Sequence, residues 1–221
     1  MTRFLITIAG SFWLICGAHA QSGQGKRWLF NGGVTAGVTA AQVRGDGIDG
    51  FNKLGLHAGA VLDIRQFRDL GFQMGMVFNQ KGSRKVQNLK TGDYDTWAYR
   101  FTYVDVPLTL VYDFKENFTV GAGIQPGVLI SGLEDGVVNG ISDGTWVETE
   151  LPIRAWELSG VVWVGMRTSE QGEWFIRHTQ SLPGIVPKPD LVNPNTTWDD
   201  RMQNITMQIG YTRLLRPWSG L

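Results

Sequence analysis

Cysteine is almost absent from this sequence, and the single one, Cys16, lies close to the N-terminus. A chain with one thiol forms no internal disulfide and offers no cluster of thiolates for a metal. Histidine is scarce as well, with three in the whole chain. We therefore assign no catalytic residue, no cofactor and no metal ligand from composition, and we expect stability to come from packing or from burial in a membrane.

An excess of charge of either sign is also missing. The chain has 20 Lys and Arg residues against 20 Asp and Glu residues. A nucleic-acid-binding domain carries a surplus of basic residues, so we expect no nucleic-acid partner. Beyond the N-terminal stretch there is no run of about 18 apolar residues, which excludes a transmembrane helix there.

The N-terminal stretch has the order of parts found in a secretory signal peptide. Arg3 gives the positive start, Phe4 to Cys16 the apolar part, and Ala18-His19-Ala20 the cleavage motif. We predict a signal peptide over residues 1–20 and a short mature segment over 21–27.

Two alternatives to a cleaved signal peptide stay open. The first is an uncleaved membrane anchor, although the apolar run is too short to span a bilayer. The second is a lipoprotein cleaved before Cys16, although Ile15 occupies a position where such a site needs a small residue.

Alternation of apolar and polar residues is what the chain has in abundance. Residues 100–114 and 118–130 both alternate with period two, and a polar turn joins them, which predicts a β-hairpin. The apolar face of this hairpin carries Val104, Val106, Leu108, Leu110, Tyr112, Phe118, Val120, Ala122, Ile124 and Val128. The opposite face of its second strand is Thr, Gln and Gly.

The same alternation recurs along the chain and predicts eight strands. Their approximate ranges are 28–39, 54–64, 71–81, 100–114, 118–130, 155–167, 173–182 and 202–214. The connections run long, short, long, short, long, short, long, which places every long loop at one end. We predict an all-β, eight-stranded antiparallel up-and-down transmembrane β-barrel over 28–215, with four long outer loops, three short periplasmic turns and a tail over 216–221.

The composition of the polar face decides which side of the wall meets lipid. In the first, fifth and eighth strands this face has Asn, Gly, Thr and Gln, without the Lys and Glu that a water-exposed surface needs. We therefore expect the apolar face to lie in lipid, the reverse of a soluble lipocalin-like barrel.

Aromatic residues at both ends of the predicted strands favour a membrane barrel, because such rings prefer the headgroup level. One predicted girdle lies near the short turns and the other near the long loops. The first comprises Trp28, Phe67, Phe72, Tyr112, Phe114, Phe118, Trp174 and Tyr211, and the second Phe51, Phe78, Trp97, Tyr99, Trp146, Trp156 and Trp198.

The polar residues expected inside the barrel are the candidates for catalysis or metal binding. They are His57, Asp63, Asp105, Glu157, Arg177 and Thr179. Only His57 and His178 could act as a histidine base, and neither has a Ser nearby in a nucleophile motif. We interpret the set as a packed polar network. Arg177 is expected to pair with Asp63 or Asp105 and to stack on Trp163.

Several short motifs follow one another in an order that resembles PorT-like outer-membrane β-barrel proteins. They are Gly32-Gly33-Val34-Thr35-Ala36-Gly37, Gly55-Leu56-His57-Ala58-Gly59, Phe78-Asn79-Gln80-Lys81-Gly82, Val104-Asp105-Val106-Pro107-Leu108 and Gly121-Ala122-Gly123-Ile124-Gln125-Pro126-Gly127. The resemblance implies a barrel inserted from the periplasm, with periplasmic chaperones and the barrel-assembly machinery as partners. Some members assist protein secretion. The chain departs from such barrels at its end, since residues 211–218 lack the usual terminal aromatic of the last strand.

Three classes of function fit these observations. The leading one is a non-enzymatic outer-membrane barrel with a structural role, an accessory role in secretion or assembly, or a binding role carried by its loops. Its expected partners are outer-membrane lipid and a protein or envelope component at the long loops. The alternatives are an outer-membrane barrel enzyme acting on lipid or peptide, and a secreted soluble ligand-binding barrel.

Overall fold

The computed structural model describes residues 29–48, 50–65, 69–90, 92–114, 117–138, 141–186 and 202–216. These ranges contain eleven β-strands. The strands are β1 Leu29–Arg44, β2 Lys53–Arg65, β3 Leu70–Lys81, β4 Arg84–Lys85, β5 Trp97–Asp105, β6 Leu108–Phe114, β7 Phe118–Val138, β8 Ile141–Glu148, β9 Trp156–Arg167, β10 Gly172–Ser181 and β11 Gln203–Leu214.

The sheet closes on itself as an antiparallel barrel. The first strand pairs with β2, where Leu29 lies opposite Arg65, and with β11, where Gly33 lies opposite Leu214. The wall continues from β11 through β10, β9 and β7, then through β6 with β5, to β3 and back to β2. β5 and β6 lie end to end and take the place of one strand in the wall. Each such position around the barrel is called a stave here, and the described wall has the eight staves that the sequence predicts.

Side chains alternate between a buried interior and an exposed exterior, as predicted. On β1 the exterior residues Phe30, Val34 and Val38 are each at least 50% exposed, whereas Thr35 and Thr39 are buried. The same alternation holds on β6 and β7, where Leu110 and Ile124 are exposed and Thr109 and Gln125 are buried. The apolar face is therefore the outer face of the wall, which suits a barrel whose outside meets lipid.

Four residues of the girdle predicted at the short-turn end are exposed on the outside of the wall, as a girdle requires: Tyr112, Phe114, Phe118 and Trp174. At the long-loop end Phe78 and Trp156 are also exposed. Tyr99 contradicts the prediction, because it points inward and is buried. Trp28, Phe67 and Trp198 lie outside the described residues.

Three predicted loops contain strand instead. The first strand continues to Arg44, well past the predicted end at residue 39. The loop predicted after residue 130 is largely the outer part of β7 and its partner β8. The polar stretch after Gly82 contains the short strand β4, which pairs with β5. These parts extend the sheet beyond the barrel, where no lipid imposes an apolar face and the alternation that marks a strand is weak.

Two prolines that lie close together on neighbouring strands interrupt the wall: Pro107, within the single strand that the sequence predicts over 100–114, and Pro126 in β7. The predicted strand divides into β5 and β6 at Val106-Pro107, which lies opposite Gln125-Pro126 of β7 because Asp105 faces Gly127 and Leu108 faces Ile124. Proline has no N–H to donate to the ladder, so each removes one backbone bond. Val106 still donates to the carbonyl of Pro126 at 2.7 Å, but Pro126 returns no bond. We call these four residues, 106–107 and 125–126, the proline seam.

Candidate functional site

The barrel interior at the long-loop end holds an ion cluster built from three staves. Lys81 extends inward from the last residue of β3, and its Nζ lies 3.1 Å from Asp105 on β5 and 3.3 Å from Glu157 on β9. All three side chains are buried. One cation between two carboxylates leaves the cluster with a formal charge of one negative unit.

Neutral side chains from five staves complete the hydrogen bonding of these carboxylates. Asp105 accepts bonds from Asn79 and Gln125, both at 2.9 Å. Glu157 accepts bonds from Ser159, Ser181 and Asn204, at 2.7, 2.8 and 2.9 Å respectively. A buried charge is tolerable when it is paired and hydrogen-bonded in this way, so the cluster has the properties of a structural network.

His57, the first candidate base, lies deep inside the wall with 1% of its surface exposed. Its Nδ1 is 3.3 Å from the hydroxyl of Thr39, which donates to Asn79. The ring lies between two glycines of neighbouring strands, since a Cβ on Gly37 or Gly210 would come within 2.7 Å of it. Its Nε2 is buried with no hydrogen-bond partner among the residues described.

His178, the second candidate base, is not brought near His57. It is half-buried and follows Arg177, so it belongs to the outer face of β10. The wall therefore separates the two imidazoles. Across the described ranges no group of three or more His, Cys, Asp and Glu residues has the arrangement of a metal site.

A second ion cluster occupies the short-turn end of the interior. Arg65, the last residue of β2, donates to both carboxylate oxygens of Asp63, at 2.6 and 3.0 Å, and its other terminal nitrogen lies 3.1 Å from Asp113. Arg167 on β9 also pairs with Asp113. Glu173, buried on β10, lies at the same end of the barrel.

Arg177 lies between the two clusters, and its predicted pairing is wrong. Both candidate carboxylates have other partners, since Asp63 binds Arg65 and Asp105 binds Lys81. No carboxylate of a described residue forms an ion pair with Arg177, and only the negative charges of Asp105 and Glu173 attract it at longer range. Its guanidinium stacks on Phe175 of its own strand, with the Cζ atom 4.6 Å from the ring centroid.

Trp163 does lie opposite Arg177 in the register of β9 and β10, as predicted. Its indole is turned the other way, against the backbone of Gly121 on β7. Any side chain at position 121 would collide with that ring, so the glycine permits a close approach of tryptophan and strand. Trp163 therefore packs against the neighbouring stave, and Phe175 provides the aromatic surface for Arg177.

An apolar plug closes the interior at the long-loop end. It combines inward residues of β1 and β5 with three residues of the connection between β10 and β11. Its buried members are Val43, Tyr99, Phe101, Tyr103, Ile185, Val186 and Met202. The backbone of Ile185 bonds to Arg154 and Met202, which fixes Ile185 at this end of the barrel. Tyr103 of the plug lies against the Lys81 cluster, with the Nζ atom of Lys81 4.5 Å from the centroid of its ring.

Beyond the plug, the outer parts of β5 and β7 carry β4 and β8 at their sides, and we call these four pieces the outer extension. Arg100 stacks on Trp146 across it, at 3.9 Å. Lys85 pairs with Asp93 at 3.1 Å, and this contact lowers the pKa of the Asp93 carboxyl. Trp146 and Val147 are exposed, so the extension presents both apolar and charged groups.

All six predicted interior residues are buried: His57, Asp63, Asp105, Glu157, Arg177 and Thr179. The most important missed residues are Lys81 and Arg65, the two cations that hold the carboxylates. Each is the last residue of its strand, and its parity with Asn79 or Asp63 was the available signal for an inward position.

A family model described as outer membrane protein beta-barrel domain matches residues 20–156 of the chain. None of the curated proteins compared with the chain matches it significantly. Among the described residues no helix is long and apolar enough to cross a membrane.

Three solved structures are similar in general shape. Ail, the attachment invasion locus protein of Yersinia pestis, is 12% identical with a TM-score of 0.49, over 84% of this chain and 99% of Ail. Neisserial surface protein A is 11% identical with a TM-score of 0.48, over 82% and 96%. OprG from Pseudomonas aeruginosa is 9% identical with a TM-score of 0.37, over 86% and 95%. These identities are too low to transfer a function.

Proposed function

The chain belongs to the family of outer membrane β-barrel domain proteins, and from that premise we propose that this outer-membrane barrel is a non-enzymatic anchor whose outer extension and long loops bind a partner in the cell envelope. The partner is a protein or another envelope component. The resemblance to PorT-like proteins supports an accessory role in secretion or assembly for the complex that forms. Insertion would use periplasmic chaperones and the barrel-assembly machinery.

The closed interior is the observation that carries this proposal. The apolar plug covers one end, and paired charges fill the barrel below it. An eight-stranded barrel is only wide enough for its own side chains. Solute therefore has no route through the wall's interior, and the surfaces left for function are the outer extension, the loops and the lipid-facing side.

The environment of His57 argues against the enzyme alternative. A histidine base needs a nucleophile within hydrogen-bond reach and a path for substrate. The hydroxyl nearest to its ring belongs to Thr39, which already donates to Asn79, and the histidine is buried beneath the plug. A lipid or peptide cannot reach this position without displacing the plug.

The outer face of the wall argues against the soluble-carrier alternative. Leu54, Leu56, Leu110 and Met76 are each more than half exposed, and comparable apolar residues continue around the barrel. A water-soluble protein rarely leaves an apolar surface of that extent uncovered. The interior of the described wall, in turn, is lined largely by buried polar side chains, which does not suit an apolar ligand.

Partner capture from native outer membranes tests the proposal. We expect a cross-linked complex to co-purify with the wild-type barrel and to be lost when residues 134–148 are replaced by a short turn. The matched control replaces residues 168–171 at the opposite end by another short turn, and it should keep the complex. Equal capture by both variants would contradict a role for the outer extension.

Hydrolysis assays test the enzyme alternative separately. The purified barrel in detergent would be incubated with phospholipid or with an unfolded protein substrate. We expect no turnover above that of a blank. Turnover that disappears in His57→Ala, while the compact gel mobility of the folded barrel is retained, would replace the proposal by an enzymatic function.

A further inference from the structure

A groove on the outside of the wall lies directly over the proline seam. Its volume is about 290 Å³, and it crosses three staves. Val104 and Val106 form one side, Pro126 and Val128 the middle, and Trp156 and Leu158 the other side, with the backbones of Gly127 and Glu157 beneath.

The prolines explain why a groove forms here. The ring of Pro126 stays close to its own backbone, whereas Val106 and Leu158, beside it on either side, reach further out. Pro126 also lacks the N–H that would draw β7 towards Val106. A short side chain and a missing ladder bond at one position together leave a hollow between the larger apolar side chains on either side.

We propose that this groove holds one acyl chain of an outer-membrane lipid as a bound ligand. The groove opens on the face that lies in lipid, at the long-loop end of β9, where exposed Trp156 forms part of its wall. Its side walls are apolar throughout, so water gains no hydrogen bonds from them.

Dispersion contacts between the groove and a flexible acyl chain favour binding there. The hydrophobic effect contributes nothing to binding inside a bilayer, because lipid tails are as apolar as the side chains of the groove. An unfilled hollow still forfeits dispersion contacts on every lining atom. Dry apolar cavities of about 150 Å³ already bind small apolar molecules, and this groove is larger. A linear acyl chain can enter from the open side, whereas a rigid partner would have to match the hollow.

Photo-cross-linking in vesicles tests the site in the wild-type protein. The full mature barrel would be reconstituted in phosphatidylethanolamine and phosphatidylglycerol carrying a small fraction of phospholipid with a diazirine at mid-chain. We expect label per exposed residue to be severalfold higher at positions 104–106, 126–128 and 156–158 than at Val34, Val38 and Ile209, which face lipid elsewhere on the wall. Uniform labelling around the barrel would overturn the proposal.

A pair of valine substitutions separates a filled groove from a general change in lipid contact. Val106→Trp places a ring in the groove and should remove the local enrichment. Val162→Trp changes an exposed valine outside the groove and should leave it intact. Retained enrichment in a folded Val106→Trp barrel would contradict the site, and if that variant does not fold, the wild-type map alone decides. Less label at the groove than at Val34 and Val38 would contradict the lipid site and would assign the groove to barrel–barrel contact, because a second copy would shield it from lipid.

Discussion

Gln125 donates a hydrogen bond of 2.9 Å to Asp105 across the strand pair in which Pro126 leaves one backbone bond unmade. The bond lies inside the barrel at the level of the proline seam. It connects β5 to β7 beside the position where Pro126 has no N–H to donate, so a side-chain contact substitutes for a main-chain one. The carboxylate is held in turn by Lys81 and Asn79, which ties the seam to the outer ion cluster.

We expect Gln125→Leu at the proline seam to lower the free energy of unfolding of the barrel. It removes a hydrogen bond to a buried carboxylate and leaves that group short of a donor, which should cost about 1–3 kcal/mol. Gln208→Leu is the matched control, because Gln208 is equally buried and its Oε1 has no partner among the described residues. Urea unfolding in lipid vesicles measures both. Equal losses would mean that Gln125 contributes only its volume.

Lys81→Met should be far more damaging than a surface substitution. It leaves Asp105 and Glu157 buried side by side without their cation, and removing one partner of a buried pair costs about 3–5 kcal/mol. Adding Glu157→Gln should restore part of the loss, since one carboxylate charge is then gone. Lys85→Met, in an exposed pair of the outer extension, should leave the unfolding midpoint unchanged. A Lys81→Met barrel of wild-type stability would show that the carboxylates are held by their neutral donors alone.

Arg177→Met should cost less than Lys81→Met. Arg177 has no carboxylate in ion-pair contact within the described part of the chain, and its attraction to Asp105 and Glu173 acts at longer range. Removing it also removes the desolvation cost of a buried guanidinium, which partly offsets the lost attraction. The temperature at which the compact gel mobility is lost ranks the two variants. The reverse order would mean that Arg177 is the main link between the clusters.

The architecture was predictable because the lipid imposes a period of two. Leu110 and Thr109, or Ile124 and Gln125, have their sides fixed by neighbouring positions alone, so the wall and its inner face follow from the sequence. The outer extension could not be predicted from the sequence in the same way. Above the lipid, both faces of β7 and β8 can be polar, and a strand there looks like a loop.

Contacts inside the barrel depend on how far the staves are shifted relative to one another, which alternation does not give. Lys81 on β3 forms an ion pair with Glu157 on β9, although these two strands are not neighbours in the wall. Arg177 forms no ion pair with either carboxylate predicted for it. The position of the proline seam could have been predicted from the sequence. Counting back from Phe114 opposite Phe118 across the short turn places Pro107 opposite Gln125.

Lipid exposure predicts an asymmetry between two leucine-to-arginine changes. Leu110 faces outward on β6 and is 64% exposed, and Leu89, in the loop after β4, is 68% exposed. Leu110→Arg should cost about 2–4 kcal/mol if it lies near the bilayer midplane, because the charge must leave water. Leu89→Arg should cost little. Similar urea midpoints for the two variants would show that exposure on β6 is exposure to water.

The orientation of the barrel predicts which end meets the cell exterior. Long loops of such barrels face outward and short turns face the periplasm. Cys16, the only cysteine, lies in the stretch predicted to be cleaved, so an introduced thiol can be labelled alone in the mature chain. Leu89→Cys, at the long-loop end, should react with a membrane-impermeant maleimide on intact cells. Glu170→Cys, in the short turn between β9 and β10, should react only after the outer membrane is permeabilised. The opposite labelling pattern would place the outer extension in the periplasm, and the proposed partner with it.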